Sequence, residues 1–180
     1  MKTTAEAQVV VADAGPLIAL ARAEHLHLLR ELYVAPGHQP ILIPQAVYVE
    51  LGLVRHRPGS ESLRQACSAG WIVTVEVETS PELASLLKIL DDGEAQAILL
   101  AEQAQARFLL IDEKRGRKVA LRRNLAVVGS GGLLLAAKRK GLVPRIEPIL
   151  EAMKRNGYRF STALYHQLLR AAGELEPQHP

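Results

Sequence analysis

The sequence predicts an α/β fold with a mostly parallel sheet of about five strands. Short apolar runs alternate along the chain with longer amphipathic stretches, the pattern of strands and helices taking turns. Hydrophobic residues make up 48% of the 180 residues, which suits one full core but not two. We therefore expect one domain over residues 1–180, with its core at about 9–144 and a helical extension at about 145–174.

Each predicted strand is a short apolar run that is bounded by turn residues or by a helical stretch. These runs lie at residues 9–13, 41–43, 71–77, 108–112 and 125–128. A helical stretch separates most of them, and a helix is the usual connection between parallel strands. The sheet is therefore expected to be mostly parallel.

The helices are predicted from amphipathic periodicity and from start and stop signals. Gly15-Pro16 opens the first helix, because proline suits a first helical turn, and Asn156-Gly157 separates the last two. The predicted helices cover residues 15–33, 44–53, 62–69, 82–90, 94–106, 115–124, a segment that follows the turn at 129–132, and finally 146–155 and 161–172.

Composition argues against several classes of protein. Cys67 is the single cysteine, so it forms no internal disulfide, and no cysteine cluster has the spacing of a zinc site. The N-terminal residues lack a signal-peptide pattern, and every apolar run is far shorter than the ~20 residues that cross a bilayer. We expect a cytoplasmic protein without a membrane segment.

Positive charge is concentrated in the second half of the chain, although the net charge is only +3. A dense group of cations follows the fourth predicted strand: Lys114, Arg115, Arg117, Lys118, Arg122 and Arg123. Such a group favours phosphate polyanions as partners, and Lys114, Arg115, Arg117 and Lys118 are candidates for contacts with a nucleic-acid backbone. The alternative is an ordinary solvated helix face.

Two aspartates end predicted strands. Asp13 closes the first strand and Asp112 closes the fourth, and open α/β sheets form their ligand crevices at the carboxyl ends of strands. The two carboxylates are therefore expected to share one cleft. Alternatively, each aspartate caps the helix that follows it.

Two glutamates are predicted on the apolar faces of helices. Glu50 falls on the stripe of Val47 and Leu51, which predicts an inward-facing acid, with a partly exposed rim position as the alternative. Glu94 extends the stripe of Ala97 and Ile98, although its place at a helix start also suits capping. Four acids without Cys or His partners favour Mg²⁺ or Mn²⁺ over zinc.

The chain resembles PIN domains, specifically a group of predicted nucleic-acid-binding proteins that contain one. The opening motif is the run Asp13-Ala14-Gly15-Pro16-Leu17-Ile18-Ala19-Leu20. The segment ending at Glu50, the pair Gly93-Glu94 and the pair Asp112-Glu113 resemble the later acidic motifs, in the same order. Residues 127–138 are also similar to that group, so the resemblance spans about 9–174.

The resemblance implies a three-layer α/β/α fold and a Mg²⁺- or Mn²⁺-dependent endoribonuclease that hydrolyses RNA phosphodiester bonds. It also implies Asp13, Glu50, Glu94 and Asp112 as catalytic metal ligands, and a homodimer. Many members are toxins that a cognate antitoxin silences, so this chain is a candidate toxin with an antitoxin as partner.

The chain departs from the family pattern at several positions. Ala14 and Gly15 stand where a small hydroxyl residue is common, and Glu113 stands where a second aspartate is common, which suggests a water-mediated ligand there. Gly116 within the basic run is unusual.

Two other functions remain open at this point. A non-catalytic PIN-like module would bind RNA or a protein, although the presence of all four acids argues against it. A phosphatase of the haloacid dehalogenase kind would need an aspartate two residues after Asp13, where Gly15 stands.

Overall fold

The strands of the computed structural model form one parallel sheet. The model describes residues 8–34, 39–53 and 57–175. The strands are β1 (Val10–Ala12), β2 (Ile41–Pro44), β3 (Ile72–Val75), β4 (Phe108–Leu110) and β5 (Val127–Val128). They lie in the order β3-β2-β1-β4-β5, with parallel pairing between neighbours. The predicted α/β class is therefore confirmed, with a sheet that is wholly parallel within the described residues.

Helices connect and cover these strands. They are α1 (Ala14–Arg22), α2 (His27–Tyr33), α3 (Gln45–Leu51), α4 (Ser60–Ser68), α5 (Pro81–Leu87), α6 (Asp92–Gln103), α7 (Lys114–Arg122), α8 (Ser130–Arg139), α9 (Glu147–Arg155) and α10 (Thr162–Ala171). None of the helices in the described ranges is both long enough and apolar enough to cross a membrane.

The prediction of one continuous helix at residues 15–33 is wrong. The chain leaves the helical conformation at Glu24, which has a φ of 62°, and the N–H of His25 donates to the carbonyl of Leu20 at 2.8 Å. This turn redirects the chain so that Leu28 and Leu29 of α2 are buried in the core. No glycine marks the break, so the sequence carries no ordinary stop signal there.

Two cores lie on opposite faces of the sheet. Val10 and Ala12 of β1 pack into a core with helices α1, α2, α3, α4, α8, α9 and α10, whereas Val11 packs into a second core with α5, α6 and α7. Successive side chains of a strand point to opposite faces, so these cores are the two faces of the sheet. The fold is therefore the expected three-layer α/β/α arrangement.

The sheet order creates a crevice between β1 and β4. The chain runs outward through β2 and β3 and then crosses back to place β4 on the other side of β1. Ala12 pairs with Leu110 in register, so the two strands end at the same level. Ligands of open α/β sheets bind outside the carboxyl ends of strands at such a reversal of strand order. A ligand site is therefore expected at the residues that follow Ala12 and Leu110.

Alanine substitutions at Gly59 and Gly70 test how tightly the start of α4 packs on α1. Gly59 and Gly70 both have positive φ, but a Cβ at Gly59 would lie 2.7 Å from the backbone carbon of Ala21, whereas a Cβ at Gly70 would have no neighbour within 4 Å. We expect Gly70→Ala to lower the free energy of unfolding by about 1 kcal/mol through backbone strain. Gly59→Ala should cost roughly 2 kcal/mol more, because α1 has to shift. Urea unfolding of both variants measures this difference, and equal losses would contradict the packing described.

Candidate active site

Asp13 and Asp112 meet at the crevice between β1 and β4. Asp13 directly follows β1, and Asp112 lies two residues after β4. A Cβ at Gly15 would lie 3.7 Å from Asp13 Oδ2 and 3.8 Å from Asp112 Oδ2, so both carboxylates approach one point beside Gly15. The structure therefore brings these two predicted residues together.

Asp13 is buried with little to compensate its charge. The residue is 6% exposed, and its side chain makes no capping hydrogen bond to α1. Burial raises the pKa of Asp13 to about 6, the charges of Asp91 and Asp112 add to this effect, and the nearby amides of Ala14 and Gly15 oppose it. Helix capping therefore does not explain this aspartate.

Glu94 is a buried acid with an unpartnered oxygen. The residue is 5% exposed, and its Oε1 has no hydrogen-bond partner. Burial raises the pKa of Glu94 to about 7, with further contributions from the charges of Asp91, Asp13 and Glu113. The capping role that the sequence left open for Glu94 belongs to Asp91, whose Oδ1 accepts from the Glu94 N–H at 2.9 Å.

Two glycines leave room for the glutamate carboxylates. A Cβ at Gly116 would lie 2.7 Å from Glu94 Oε1 and 2.6 Å from Ile111 Cδ1. A Cβ at Gly93 would lie 2.8 Å from Glu50 Oε2. Real Cβ atoms do not approach other atoms this closely, so a larger residue at either position would displace a carboxylate. The unusual Gly116 of the basic run is thereby explained: α7 needs it to pass over Glu94.

Glu50 lies at the rim of the crevice, and the prediction of an inward-facing residue is wrong. Val47 and Leu51 of α3 are buried, but Glu50 is exposed because it lies at the edge of the apolar stripe. Its Oε2 still approaches Gly93, and the Cβ position at Gly93 is also 3.5 Å from Asp13 Oδ1. Partial burial, followed by the charges of Asp13 and Asp91, raises the pKa of Glu50 to about 7.

Asp112 is held in place by α8. The N–H of Ser130 donates to Asp112 Oδ1 at 2.7 Å, and the Ser130 hydroxyl donates to Oδ2 at 2.6 Å. The hydroxyl of Tyr158 lies beside Asp112, and burial together with that carboxylate raises the pKa of Tyr158. Asp91 was expected from the sequence as a residue suited to the helix N-terminus, whereas Ser130 and Tyr158 were not among the predicted site residues. Of these two, only Ser130, in the glycine turn before α8, has a local signal.

The basic residues of α7 divide into two groups. Lys114, Arg115 and Lys118 are exposed. Arg117 is half-buried: its Nη1 donates to the carbonyl of Ile111 at 2.9 Å, and it lies beside Gly129, as Asp112 does. The helix begins two residues after Asp112, so all four cations are near the acids in the chain, and Arg117 approaches them in space.

The acids share a crevice but do not form a ready coordination shell. Within residues 8–34, 39–53 and 57–175, no group of three or more His, Cys, Asp or Glu side chains is arranged so that it could hold a metal ion. Burial and mutual repulsion instead raise the pKa values of Asp13, Glu50 and Glu94, as expected for carboxyl groups that no nearby cation compensates.

A comparison with protein families identifies the family of this chain. A family model described as "DUF3368: PIN domain" matches residues 9–174, nearly the whole chain. No curated protein matches the chain. The matched range contains all four acids of the crevice, the basic residues of α7 and the helices up to α10.

The burial of Glu94 predicts an unusual dependence of stability on pH. Its pKa is raised in the folded state from an ordinary value of 4.5, so its contribution to stability is present below about pH 4.5 and is lost as the pH rises through about 7. In the presence of a metal chelator, the free energy of unfolding should therefore fall as the pH rises from 5 to 8. Glu94→Gln should flatten that fall and stabilise the protein at pH 8 by on the order of 2 kcal/mol.

Urea unfolding at several pH values checks this expectation. The matched control is Glu31→Gln, which neutralises an exposed acid on α2. A fall in stability that is as steep in Glu94→Gln as in the control variant would contradict the burial of an uncompensated carboxylate.

Proposed function

The chain belongs to the PIN-domain family, and from this premise we propose that it is a Mg²⁺- or Mn²⁺-dependent endoribonuclease. The family is one of nucleases in general, and its members bind nucleic acids. The observation that most supports catalysis in this chain is the buried Glu94 carboxylate, whose Oε1 has no partner and which lies beside Asp13 and Asp91. A protein that used this crevice only for packing would gain stability by replacing that acid.

The residues present fit a hard divalent cation by their chemistry. The donors are carboxylate oxygens, which Mg²⁺ and Mn²⁺ prefer, and neither cysteine nor histidine is among them. Buried like charges need a cation between them to remain ionised at neutral pH. We propose Asp13, Glu94 and Asp112 as the main ligands, with Glu50 at the rim as a further ligand and Glu113 acting through water.

Side chains around the crevice would position a metal ligand and the substrate phosphate. A bound divalent cation supplies an activated water and neutralises charge on the phosphoryl oxygens. Ser130 and Tyr158 fix the carboxylate of Asp112, so that this side chain pays little entropy when it binds. Arg117 lies beside Asp112 and is placed to contact a phosphate of the scissile strand.

We further propose that the exposed cations of α7 bind the RNA backbone. Lys114, Arg115 and Lys118 are exposed on the helix that starts next to Asp112, so a strand that passes the crevice would meet them. Cations in this position would also offset the repulsion between an RNA strand and the cluster of acids.

The biological role as a toxin and the homodimer are proposals that rest on the resemblance to PIN-domain toxins. A small neighbouring gene for an antitoxin would support the toxin role. Co-expression of the two proteins should then abolish nuclease activity, and sedimentation of the purified chain would test the dimer.

Neutral substitutions at the two aspartates test the catalytic proposal. Asp13→Asn and Asp112→Asn should each lower Mn²⁺-dependent cleavage of RNA by at least about a hundredfold, because each loses a charge that the ion and the transition state need. Cleavage of a labelled oligonucleotide measures this effect. Glu31→Gln, an exposed acid on α2, is the control and should keep full activity, and chelator should abolish cleavage by the parent protein.

Two results would contradict the proposal. Full activity in either asparagine variant would remove these aspartates from the mechanism. RNA binding by the parent protein without any cleavage in Mg²⁺ or Mn²⁺ would favour the non-catalytic module.

The salt dependence of RNA binding tests the role of α7. Binding of a single strand loses affinity with salt in proportion to the number of phosphates that are neutralised. Replacing Lys114, Arg115 and Lys118 together with alanine should make the slope of log affinity against log salt shallower by about 2. The control replaces two exposed cations elsewhere, Arg30 of α2 and Lys88 after α5, and should leave the slope unchanged. Equal slopes for all variants would show that the exposed cations of α7 contact solvent and not RNA.

A further inference from the structure

A second cleft opens directly beside Asp112, on the side of the sheet edge that β5 forms. Its volume is about 510 Å³, within the range of small-ligand pockets. One wall is β5 with the start of α8, and the opposite wall is the segment that leads into α10. Four aromatic residues line it: Tyr33, Phe108, Tyr158 and Phe160. Aromatic side chains are only 4% of the sequence, so their concentration in one cleft is a property of the fold.

The charges around this cleft are those of a site for an anionic ligand. Arg117 lines it at the end near Asp112, and Arg139 of α8 lines it further along. Asp112 is the one acid among the described residues that line the cleft. A ligand with a flat apolar part and a phosphate would therefore find aromatic side chains and guanidinium groups in the same cleft.

Tyr158 connects this cleft to the acids. Its hydroxyl lies beside Asp112 and Ser130, and its ring lies 4.6 Å from the ring of Phe160, measured between centroids. The hydroxyl contacts restrain the Tyr158 ring, and the ring in turn supports Phe160. The two rings are thus positioned in advance, which lowers the entropy that binding would cost.

We propose that this cleft binds one unpaired nucleobase of the RNA, stacked against Phe160 and Tyr158, next to the phosphodiester that lies at the acids. The inference rests on the proposed nuclease function, because it assumes a nucleic-acid strand in the crevice. Stacking on an aromatic ring suits any base, since every base has a π-face. The cleft would thus select for single-stranded RNA, whose bases are free to leave the stack, rather than for a particular sequence.

The chemistry of the cleft disfavours an apolar occupant. A hydrophobic peptide or lipid would remove water from the charged side chains of Arg117, Arg139 and Asp112 without offering them a new polar contact, which costs free energy on desolvation. The phosphates of a nucleotide would pair with the two guanidinium groups.

The experiment measures stacking without cleavage. An RNA oligonucleotide that carries 2-aminopurine, a base whose fluorescence falls when it stacks, is titrated with the Asp13→Asn protein in Mg²⁺. We expect saturable quenching. In the same background, Phe160→Leu removes the π-face but keeps an apolar side chain, and it should weaken affinity about tenfold and abolish the quenching. The control is Tyr48→Leu, which replaces an exposed aromatic on α3 outside the cleft and should change neither.

The substrate itself provides a second measurement that does not depend on a variant folding correctly. The same oligonucleotide paired with its complement should bind more weakly and show no protein-dependent quenching. Undiminished quenching in Phe160→Leu, or equal quenching of single strand and duplex, would overturn the inference.

These experiments distinguish failure of the base-binding proposal from failure of the nuclease proposal. If the parent protein cleaves RNA but Phe160→Leu leaves binding and quenching unchanged, the nuclease function stands and the base site is wrong. If quenching is lost in Phe160→Leu but the parent protein never cleaves, the base site stands and the chain is a binding module.

Discussion

The arrangement of this molecule depends on carboxylates that are kept close together where water has little access. Asp13 and Glu94 are almost fully buried, and Glu94 Oε1 has no partner. Such charge costs free energy, so the surrounding structure has to hold it in place. Gly93 and Gly116 give the carboxylates room, and Asp91 takes over the capping of α6 that Glu94 would otherwise perform. The fold therefore accommodates the buried acids because Gly93, Gly116 and Asp91 provide the space and the helix cap that these acids require.

The sequence predicted the parts of the site that depend on strand order, and it failed where the path of the chain is set by distant contacts. Asp13 and Asp112 were predictable together, because strand-end residues meet at one edge of a parallel sheet. The exposure of Glu50 depends on the exact rotation of a seven-residue helix, which periodicity cannot resolve. The break at Glu24 carries no glycine, and Tyr158 reaches Asp112 from far along the chain. Neither feature leaves a local pattern.

Asp112 is the residue at which the proposed activities meet. It faces the acids beside Gly15, it is bound by Ser130 of α8, and it also lines the aromatic cleft. The basic helix α7 begins two residues after it. In the proposed complex, a single strand contacts the cations of α7, presents a phosphate at the acids and stacks a base against the aromatic rings. The proximity of these three surfaces is a consequence of where β4 and β5 end.

The order of these parts along the chain has a consequence for biosynthesis. All four acids and the basic helix are encoded before residue 125, whereas Tyr158 and the wall that carries Phe160 come only after α9. A nascent polypeptide emerging from the ribosome would therefore complete its charged crevice before its aromatic cleft and before Tyr158 can restrain Asp112. The aromatic cleft would therefore be completed only after the segment that carries Tyr158 and Phe160 has left the exit tunnel.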